Sequence, residues 1–405
     1  MFYRQVQSAK KRPRIIDMAI ETRFSRLAVE DYHLPQDWTR RLCSPSLVVY
    51  LDRVRENLRR ILDATGGPER WRPHVKTTKI PEVYAELVNS GVRQFKCATV
   101  REAETLMRVV ERKGSAAADI LLAYPLVGPN LERLGELARS HANSVFSVLC
   151  EDPDAVGGIP PELGIFVDVN PGMHRTGIPL AHAGEISGVA LQAGGRFRGV
   201  HFYDGQIQGA TAGERREAAH RGYAALMELV GSLQARTPVG EIVTSGTPAF
   251  RYALDFDPFS ALSSTVHRVS PGTVVFHDLR SEQDLDDLDL LPAAVVFSRV
   301  VSHPRPGHFT CDAGSKSIAA EAGDPCAFAL GHPGAEALTP SEEHLPFRTT
   351  GDCPPRGAEL YLVPRHVCPT VNLAEQALLV DGDRIEVGRV AARAHDLLIE
   401  RRTGR

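Results

Sequence analysis

The sequence contains no uninterrupted apolar run of the roughly 20 residues that a membrane-spanning helix requires. A basic stretch lies near the start, at residues 10–14, but neither a long apolar segment nor a cleavage site follows it. It therefore does not have the pattern of a secretory signal. We expect a protein without a membrane span, in which residues 1–20 form a flexible arm.

The charges are nearly balanced, with 47 Lys and Arg residues against 50 Asp and Glu residues and a formal net charge of −3. This balance gives no sign of a nucleic-acid partner or of binding to a membrane surface. The seven cysteines are scattered without the spacing of a disulfide framework, and their number is odd. We therefore expect a reducing compartment, the cytoplasm.

Short apolar segments alternate with segments of helical periodicity from residue 46 to about residue 281. The unit of a strand and a helix recurs about eight times, which is typical of parallel strands covered by helices. The number of units and the length favour a closed (β/α)8 barrel over an open sheet, although no internal sequence repeat is visible. We assign the barrel to residues 46–281 and expect its first strand at 44–51.

The pattern changes at the acidic segment 282–287. Beyond it, strand-like segments follow one another with frequent Gly and Pro and without long helices between them. This indicates a smaller antiparallel β domain over residues 282–405. The 405 residues of the chain suffice for two such domains.

The stretch 71–81 holds a lysine in the place where α/β barrels carry their chemistry. It has the pattern of a buried strand running into a helix, because Thr77 or Thr78 can cap the helix and a proline suits its first turn. Lys76 then sits at the C-terminal tip of a strand, with His74 on the same face. An amine in this place can form a Schiff base, but these residues alone also fit a surface lysine in a βα loop.

The string Arg-Pro-His-Val-Lys-Thr-Thr-Lys at residues 72–79 resembles the cofactor-lysine motif of the D-threonine aldolase / eukaryotic-type D-serine dehydratase family. These are fold-type III pyridoxal 5′-phosphate (PLP) enzymes related to alanine racemase, and the resemblance covers nearly the whole chain. It implies that Lys76 carries PLP with His74 beside it. The family usually has His in place of Thr78, a departure outside the lysine itself. The family plan also implies that residues 21–45 join the β domain and that the chain forms a homodimer.

Two Gly-Thr turns follow late barrel strands, at residues 244–248 and 270–273. Glycine lets a ligand approach the backbone closely, and hydroxyl groups with free N–H groups can cradle an anion. Phosphate sites in barrels favour this position. Both turns also resemble the PLP-phosphate turns of the family, which implies as phosphate-binding residues Ser245, Gly246, Thr247, Gly272 and Thr273.

The segment 167–177 is similar to the family segment that places an arginine near the PLP ring. The resemblance implies that Arg175 orients the ring or its O3′ group. Without the resemblance, an arginine that caps the following helix fits the residues equally well. Tyr203, after the next strand, matches a family tyrosine near the ring.

His366 and Cys368 form a His-x-Cys pair, which predicts a metal site, although by itself such a pair is more often incidental. In an extended segment a His-x-Cys pair has both side chains on one face, and imidazole nitrogen and thiolate sulfur are good zinc ligands. Two ligands leave positions open for water or substrate, as in a catalytic site. The thiolate favours zinc over manganese.

The stretch 341–344 resembles a family loop near the metal, which makes His344 a candidate substrate contact; a solvated acidic loop is the alternative.

The string around His366 and Cys368 resembles the zinc site of D-serine dehydratases, whereas aldolases of the family more often have Asp at the thiolate position. The resemblance therefore implies a PLP- and zinc-dependent dehydratase. Its substrate would be a D-configured β-hydroxy amino acid such as D-serine or D-threo-3-hydroxyaspartate, and its products a 2-oxo acid and ammonia. A metal-activated D-threonine or 3-hydroxy-D-aspartate aldolase, which gives glycine and an aldehyde, is the first alternative. A non-catalytic PLP-binding protein is the second, and the His-x-Cys pair argues against it and against a racemase.

Overall fold

The computed structural model describes residues 23–114, 117–207, 211–282 and 284–397. The arm predicted at residues 1–20 lies outside the described residues. Two sheets organise the chain, one parallel and one largely antiparallel. No helix within the described ranges combines the length and the apolar character needed to cross a membrane.

The parallel sheet forms the barrel. Trp71 bridges to Val269 and His74 bridges to Lys96, so the segment 71–75 joins the last strand of the sheet to the first. Backbone hydrogen bonds of 2.9 Å run across both junctions. The predicted closed (β/α)8 barrel is therefore confirmed. Its remaining strands are Gln94–Cys97, Asp119–Leu122, Val145–Cys150, Gly164–Asn170, Phe197–Phe202, Glu241–Thr244 and Val266–Val269, with the short strand Ile178–Pro179 beside Gly164–Asn170.

Helices cover the outside of the barrel. The helix Leu51–Thr65 buries apolar residues at helical spacing and ends at Gly66, whose φ of 77° is the left-handed conformation of a helix C-cap. The helix Ala212–Gln234 begins with a capping box in which Thr211 and Glu214 bond each other's backbone N–H. The other α-helices are Gln36–Thr39, Pro81–Asn89, Val100–Arg112, Pro129–Ser140, Ala183–Ala193, Phe250–Leu254, Asp257–Ser260, Leu279–Glu282 and Val367–Leu373.

The second sheet is formed by the strand Ser46–Tyr50, which precedes the barrel in the chain, and by strands that follow the barrel, and its described pairs are antiparallel except for one. Phe309 and Phe347 stack in its core, with ring centroids 4.8 Å apart. Its strands run in the order Ala335–Ala337, Leu345–Thr349, His308–Cys311, Ala294–Arg305, Ser46–Tyr50, Gln376–Asp381 and Arg384–Arg389, and Glu359–Pro364 pairs with Ala294–Arg305 and Ala327–Ala329.

The strand Ser46–Tyr50 does not open the barrel, which corrects the sequence prediction. Val48 lies opposite Val295 in an antiparallel pair and opposite Leu378 in a parallel pair, so the strand is central in the second sheet. The prediction failed because a strand that is covered on both faces is apolar at every position in either kind of sheet. The first barrel strand is instead the short segment 71–75.

Residues that precede this strand also pack against the second sheet. Phe24, Tyr32 and Leu34 share an apolar core with residues of that sheet, Tyr361 among them. The N–H of Leu34 donates to the hydroxyl oxygen of Tyr361 at 3.0 Å. The described part of the N-terminal segment is thus tied to the C-terminal half of the chain.

The barrel interior is polar at its two ends and apolar between them. Alternate residues of one strand face inward, so the strand that begins at Glu241 contributes to all three layers. At the N-terminal end, Glu241 accepts two hydrogen bonds of 2.7 Å from Arg72. The middle layer is apolar and consists of Leu121, Leu149, Phe166 and Val243. The polar layer at the C-terminal end includes His74, Lys96, Asp168, His201 and Ser245.

Candidate active site

Lys76 lies directly after the closing segment 71–75, at the C-terminal end of the barrel. His74 and Lys76 are partly buried, whereas Lys79 is buried and binds Glu102 at 2.7 Å. Lys79 is therefore occupied elsewhere, and Lys76 is the lysine of this turn that is left for a ligand. The pKa of His74 is well below its usual value because the ring is buried and next to the charge of Lys76, so His74 is neutral.

The helix that follows Lys76 starts without the predicted threonine cap. Its N-cap is Ile80, which makes no side-chain cap bond, and Pro81 occupies the first turn as expected. The hydroxyl of Thr78 donates to the carbonyl of Val75 at 3.3 Å. The hydroxyl of Thr77 turns toward the C-terminal half of the chain instead, where it contacts a cysteine.

The second Gly-Thr turn lies against the Lys76 turn. A Cβ added at Gly272 would stand 2.3 Å from the carbonyl oxygen of His74 and 3.1 Å from Oγ1 of Thr77. Only glycine allows this approach. In the first turn, a Cβ at Gly246 would stand 2.9 Å from the ring of Tyr203. The two predicted phosphate turns thus flank the lysine and the tyrosine that were predicted to hold the cofactor.

The backbone of these turns, rather than the Ser245 hydroxyl, is available to an anion. Ser245 is fully buried with a φ of 55°, and its hydroxyl donates to Asp204 at 2.8 Å and lies 2.9 Å from the hydroxyl of Tyr223. Its side chain therefore holds the turn from behind. In the described ranges, no hydrogen bond is donated by four backbone N–H groups of the turns, those of Gly246, Thr247, Gly272 and Thr273.

Arg175 and Tyr203 lie together, as their predicted role near one ring requires. The guanidinium carbon of Arg175 is 4.8 Å from the ring centroid of Tyr203. The Nζ of Lys96 lies 5.4 Å from the same centroid. A small open pocket lies here, lined by Asp168, Val169, Pro171, Met173, Arg175, Thr176 and Tyr203.

His201 and Asp168 form a buried pair in the floor of this region. Burial, and next the positive charge of Lys96, lowers the pKa of His201 to about 4 although Asp168 favours the charged ring. The neutral ring places its proton on Nδ1, 2.7 Å from the carboxylate of Asp168. The Nε2 of His201 and the Oδ1 of Asp204 are buried without a partner among the described residues. Such unpaired atoms, with the free N–H groups of both turns, fit a polar cofactor such as PLP.

The His-x-Cys pair is not on an extended segment, which corrects the prediction. His366 is the extended N-cap residue of the helix Val367–Leu373, and Cys368 lies in its first turn. The helix starts here because Asp278 accepts the N–H of Val367 at 2.9 Å and Pro369 needs no N–H partner in a first turn. The two side chains nevertheless interact with each other.

Cys368 connects the C-terminal half of the chain to the Lys76 turn and to the second Gly-Thr turn. Its sulfur lies 3.2 Å from the hydroxyl oxygen of Thr77 and 3.6 Å from that of Thr273. Burial opposes the thiolate, but the hydrogen bond and charge of His366 bring the pKa of Cys368 below its usual value. Burial likewise opposes the imidazolium, yet Cys368 and Glu321 raise the pKa of His366 to about 8.

The pair offers a nitrogen and a sulfur ligand side by side, which is a donor set that suits zinc. Glu321 lies 2.7 Å from Nδ1 of His366, which leaves Nε2 of the ring for an ion. Among the described residues, no group of three or more His, Cys, Asp and Glu side chains is arranged to hold a metal. A bound ion would therefore have His366 and Cys368 as its protein ligands and other positions open.

Within the described ranges, no hydrogen bond or ion pair joins His344 to the other predicted site residues. It is exposed and precedes the strand Leu345–Thr349. Its carbonyl accepts the N–H of Ser341 at 2.9 Å, and its side chain has no hydrogen bond or ion pair within the described ranges. Its role as a substrate contact stays a prediction.

The sequence reasoning missed Lys96, Asp168 and Asp204. Lys96 and Asp168 had a visible signal, because each is a lone charged residue in a short and otherwise largely apolar barrel strand. A charge that alternation turns into a barrel interior needs a partner or a ligand. Asp204 follows the strand Phe197–Phe202 and had no such signal.

Two family models match the chain. "Alanine racemase, N-terminal domain" matches residues 49–278, which is more than half of the chain, and "Putative serine dehydratase domain" matches residues 293–380. The first match defines the class, an alanine racemase-like PLP barrel. With the second, the chain belongs to the D-threonine aldolase / D-serine dehydratase family of fold-type III PLP enzymes, as the motif at 72–79 predicted.

Three relatives cover most of the chain. A D-threonine aldolase of Arthrobacter sp. is 29% identical over 376 residues, which cover 89% of this chain and 95% of the relative. A 3-hydroxy-D-aspartate aldolase of Paracoccus denitrificans is 27% identical, with 86% and 92% covered. A D-threo-3-hydroxyaspartate dehydratase of Delftia sp. is 26% identical, with 86% and 97% covered. All three are lyases, and the predicted enzyme class is confirmed.

Solved structures share the fold. A D-threonine aldolase from Filomicrobium marinum has a TM-score of 0.75 and 24% identity, covering 87% of this chain and 96% of its own. A mutant of D-threo-3-hydroxyaspartate dehydratase in the metal-free form has a TM-score of 0.70 and 20% identity, with 88% and 98% covered.

Proposed function

We propose that the chain is a PLP- and zinc-dependent lyase of D-configured β-hydroxy amino acids and that it acts as a dehydratase, giving a 2-oxo acid and ammonia. One observation carries the proposal: Cys368 contacts both Thr77, next to the cofactor lysine, and Thr273, in a phosphate turn. The His366–Cys368 pair thus faces the place where a substrate joined to PLP would lie. A protein that only carries PLP has no use for such a pair.

Different residues around Lys76 would hold different groups of the cofactor. Bound PLP supplies an electron sink for negative charge that develops at the substrate Cα. Lys76 is the residue that would hold its aldehyde carbon. The free N–H groups of the two Gly-Thr turns would hold its phosphate, and Arg175 and Tyr203 would orient its ring.

Lys76 would transfer the Cα proton of the substrate, and the metal site would activate the substrate's β-hydroxyl group. Lys76 would also be the base, because its Nζ, when not joined to the cofactor, could remove the proton from the substrate Cα. His366 and Cys368 are the residues that would hold a zinc ion, whose Lewis acidity suits the departure of a β-hydroxyl group. Glu321 would fix the ring of His366 through Nδ1.

The aldolase reaction is the second candidate, because a D-threonine aldolase is 29% identical to this chain. The two reactions need opposite proton transfers at the substrate hydroxyl. Elimination of water requires an acid at the oxygen, whereas cleavage of the Cα–Cβ bond requires a base for its proton. Cys368 stands where aldolases of the family more often have Asp, so this chain lacks a carboxylate in that place. This supports the dehydratase.

Product analysis tests the proposal. The purified protein is incubated with D-serine, D-threonine and D-threo-3-hydroxyaspartate in turn, with and without EDTA. We expect ammonia and a 2-oxo acid, lost on chelation and restored by zinc. Glycine and an aldehyde would show the aldolase instead. No turnover with PLP bound and no stoichiometric zinc would favour the PLP-binding protein.

A matched pair of variants assigns the metal role. Cys368→Ala removes the sulfur ligand and should reduce the zinc content and the EDTA-sensitive activity together. Cys353→Ala, a partly buried cysteine of the same half of the chain, is the control and should change neither. Equal loss in both variants would contradict the assignment.

The homodimer and the cytoplasmic location stay predictions, and the homodimer is checked by light scattering of the purified protein.

A further inference from the structure

Lys96 is a second lysine of the barrel interior, one strand away from Lys76. It lies on the strand Gln94–Cys97 and forms a bridge with His74. Phe95 and Cys97, on either side of it, pack in the apolar core outside the barrel. Since side chains alternate along a strand, Lys96 points into the barrel, where it is 3% exposed.

The amine of Lys96 lacks an anionic partner in the described part of the chain. Its Nζ makes no hydrogen bond and no ion pair there, and it contacts the face of Tyr203 at 5.4 Å. Neither nearby carboxylate bonds Nζ: one oxygen of Asp168 bonds His201, one oxygen of Asp204 bonds the hydroxyls behind the first turn, and the second oxygen of each has no partner among the described residues. The titratable and charged groups that face Lys96 are His74, Lys76, Asp168, Arg175, His201, Tyr203 and Asp204.

A buried ammonium without a counter-charge is unfavourable. Burial, and next the like charge of Lys76, lowers the pKa of Lys96 to about 7, although Asp168 and Asp204 favour the charged form. Above pH 7 the amine is therefore mostly uncharged, because Asp168 and Asp204 do not fully offset burial and the charge of Lys76. An anion in contact with Nζ would reverse the balance and favour the ammonium.

We propose that Lys96 binds an anionic oxygen of the molecule that occupies this site and takes up a proton from solvent when it does so. The proton comes from the buffer and stays on Nζ as the third hydrogen of the ammonium. Two sources offer such an oxygen, the ring oxygen of PLP and a carboxylate of the substrate. The proposal rests on the proposed function, because it takes the space beside Lys76 as the PLP site.

The number of protons taken up on binding tests the proposal. Binding is measured by calorimetry at pH 8 in buffers of different ionisation enthalpy, first with PLP added to the PLP-free protein and then with malonate added to the PLP-loaded protein. At pH 8 an amine with a pKa of about 7 carries about 0.1 proton and an ammonium about 1. The wild type should therefore take up about 0.9 proton more than Lys96→Arg, which is charged before and after binding.

Two further variants test the role of the charge at Lys96 and serve as a control at another lysine. Lys96→Met, which has no charge to offer, should bind the same anion about 10-fold more weakly and show no excess uptake. Lys316→Arg changes an exposed lysine that is already paired with Glu343 at 2.9 Å, and it should behave as the wild type.

Each outcome decides the proposal. Excess uptake with PLP assigns Lys96 to the ring oxygen, and excess uptake with malonate alone assigns it to a substrate carboxylate. Equal proton counts in the wild type and Lys96→Arg in both arms would overturn the inference and leave the proposed function intact. Failure of the protein to bind PLP at all, seen from the absence of its absorption band, would overturn both.

Discussion

The close approach of Gly272 to the Lys76 turn permits a specific test of the cofactor site. In Gly272→Ala the new Cβ would stand 2.3 Å from the carbonyl oxygen of His74. A carbon and a carbonyl oxygen need about 3.3 Å, so the turn must withdraw by roughly 1 Å. The backbone conformation at this residue, with φ −119°, is open to alanine, and the steric contact is therefore the whole perturbation.

If this turn binds the phosphate of PLP as proposed, a withdrawal of this size should affect PLP binding more than the stability of the fold. Loss of one charge-assisted hydrogen bond to a phosphate weakens binding by roughly 1.5–3 kcal/mol, or about 10- to 100-fold in Kd. We expect a PLP affinity lowered by that factor in Gly272→Ala, measured by titration of the cofactor absorption. The urea midpoint of the PLP-free protein should change much less.

Alanine substitutions at two other glycines should lower the PLP affinity less than Gly272→Ala does. Gly246→Ala meets the ring of Tyr203 at 2.9 Å, and a side chain can give way more easily than a carbonyl, so its affinity loss should be smaller. Gly231→Ala meets no atom within 4 Å and should bind PLP as the wild type does. If folded Gly272→Ala bound PLP within twofold of the wild type, the placement of this turn at the phosphate would be wrong.

Other predictions concern the buried charges. Lys79→Met leaves Glu102 buried without its partner at 2.7 Å, so unfolding should become easier by about 3–5 kcal/mol in urea titrations, and the double variant with Glu102→Gln should recover part of this loss. The folded-state pKa of His201, about 4, lies below the unfolded value of about 6.5, so stability should fall as the pH drops between these values, by up to roughly 3 kcal/mol. His201→Asn should flatten that dependence, and an unchanged slope would contradict a neutral ring. Tyr223→Phe removes a hydroxyl that bonds Asp204 and should destabilise the fold by about 1–3 kcal/mol without changing the zinc content.

The candidate site residues that sequence motifs predicted are those whose chemistry is local. Lys76, Gly246 and Gly272 could be predicted because a strand tip or a tight turn needs a particular residue at a particular place, whatever the rest of the chain does. The structure brings these turns together with Cys368, which lies almost 300 residues beyond Lys76.

The features that the sequence did not reveal depend on distant contacts. The pairing of Ser46–Tyr50 with strands beyond the barrel leaves no trace in a uniformly apolar segment. The helical start at Val367 depends on Asp278, which lies 89 residues earlier in the chain. The direction of the Ser245 hydroxyl is set by Asp204, because a buried carboxylate requires donors that only the fold provides.

The position of Ser46–Tyr50 also determines when, during synthesis, the second sheet can be completed. This strand is made early, but its parallel partner Gln376–Asp381 is made more than 300 residues later. Until then the strand lacks its parallel neighbour, and the helix Val367–Leu373 leads directly into that neighbour in the chain. The nascent chain can complete all its barrel strands and still lack both this pairing and the two residues that would hold a metal, His366 and Cys368. Completion of the second sheet and placement of the His366–Cys368 pair therefore both come late in synthesis, and a chain that ends before residue 366 should have neither.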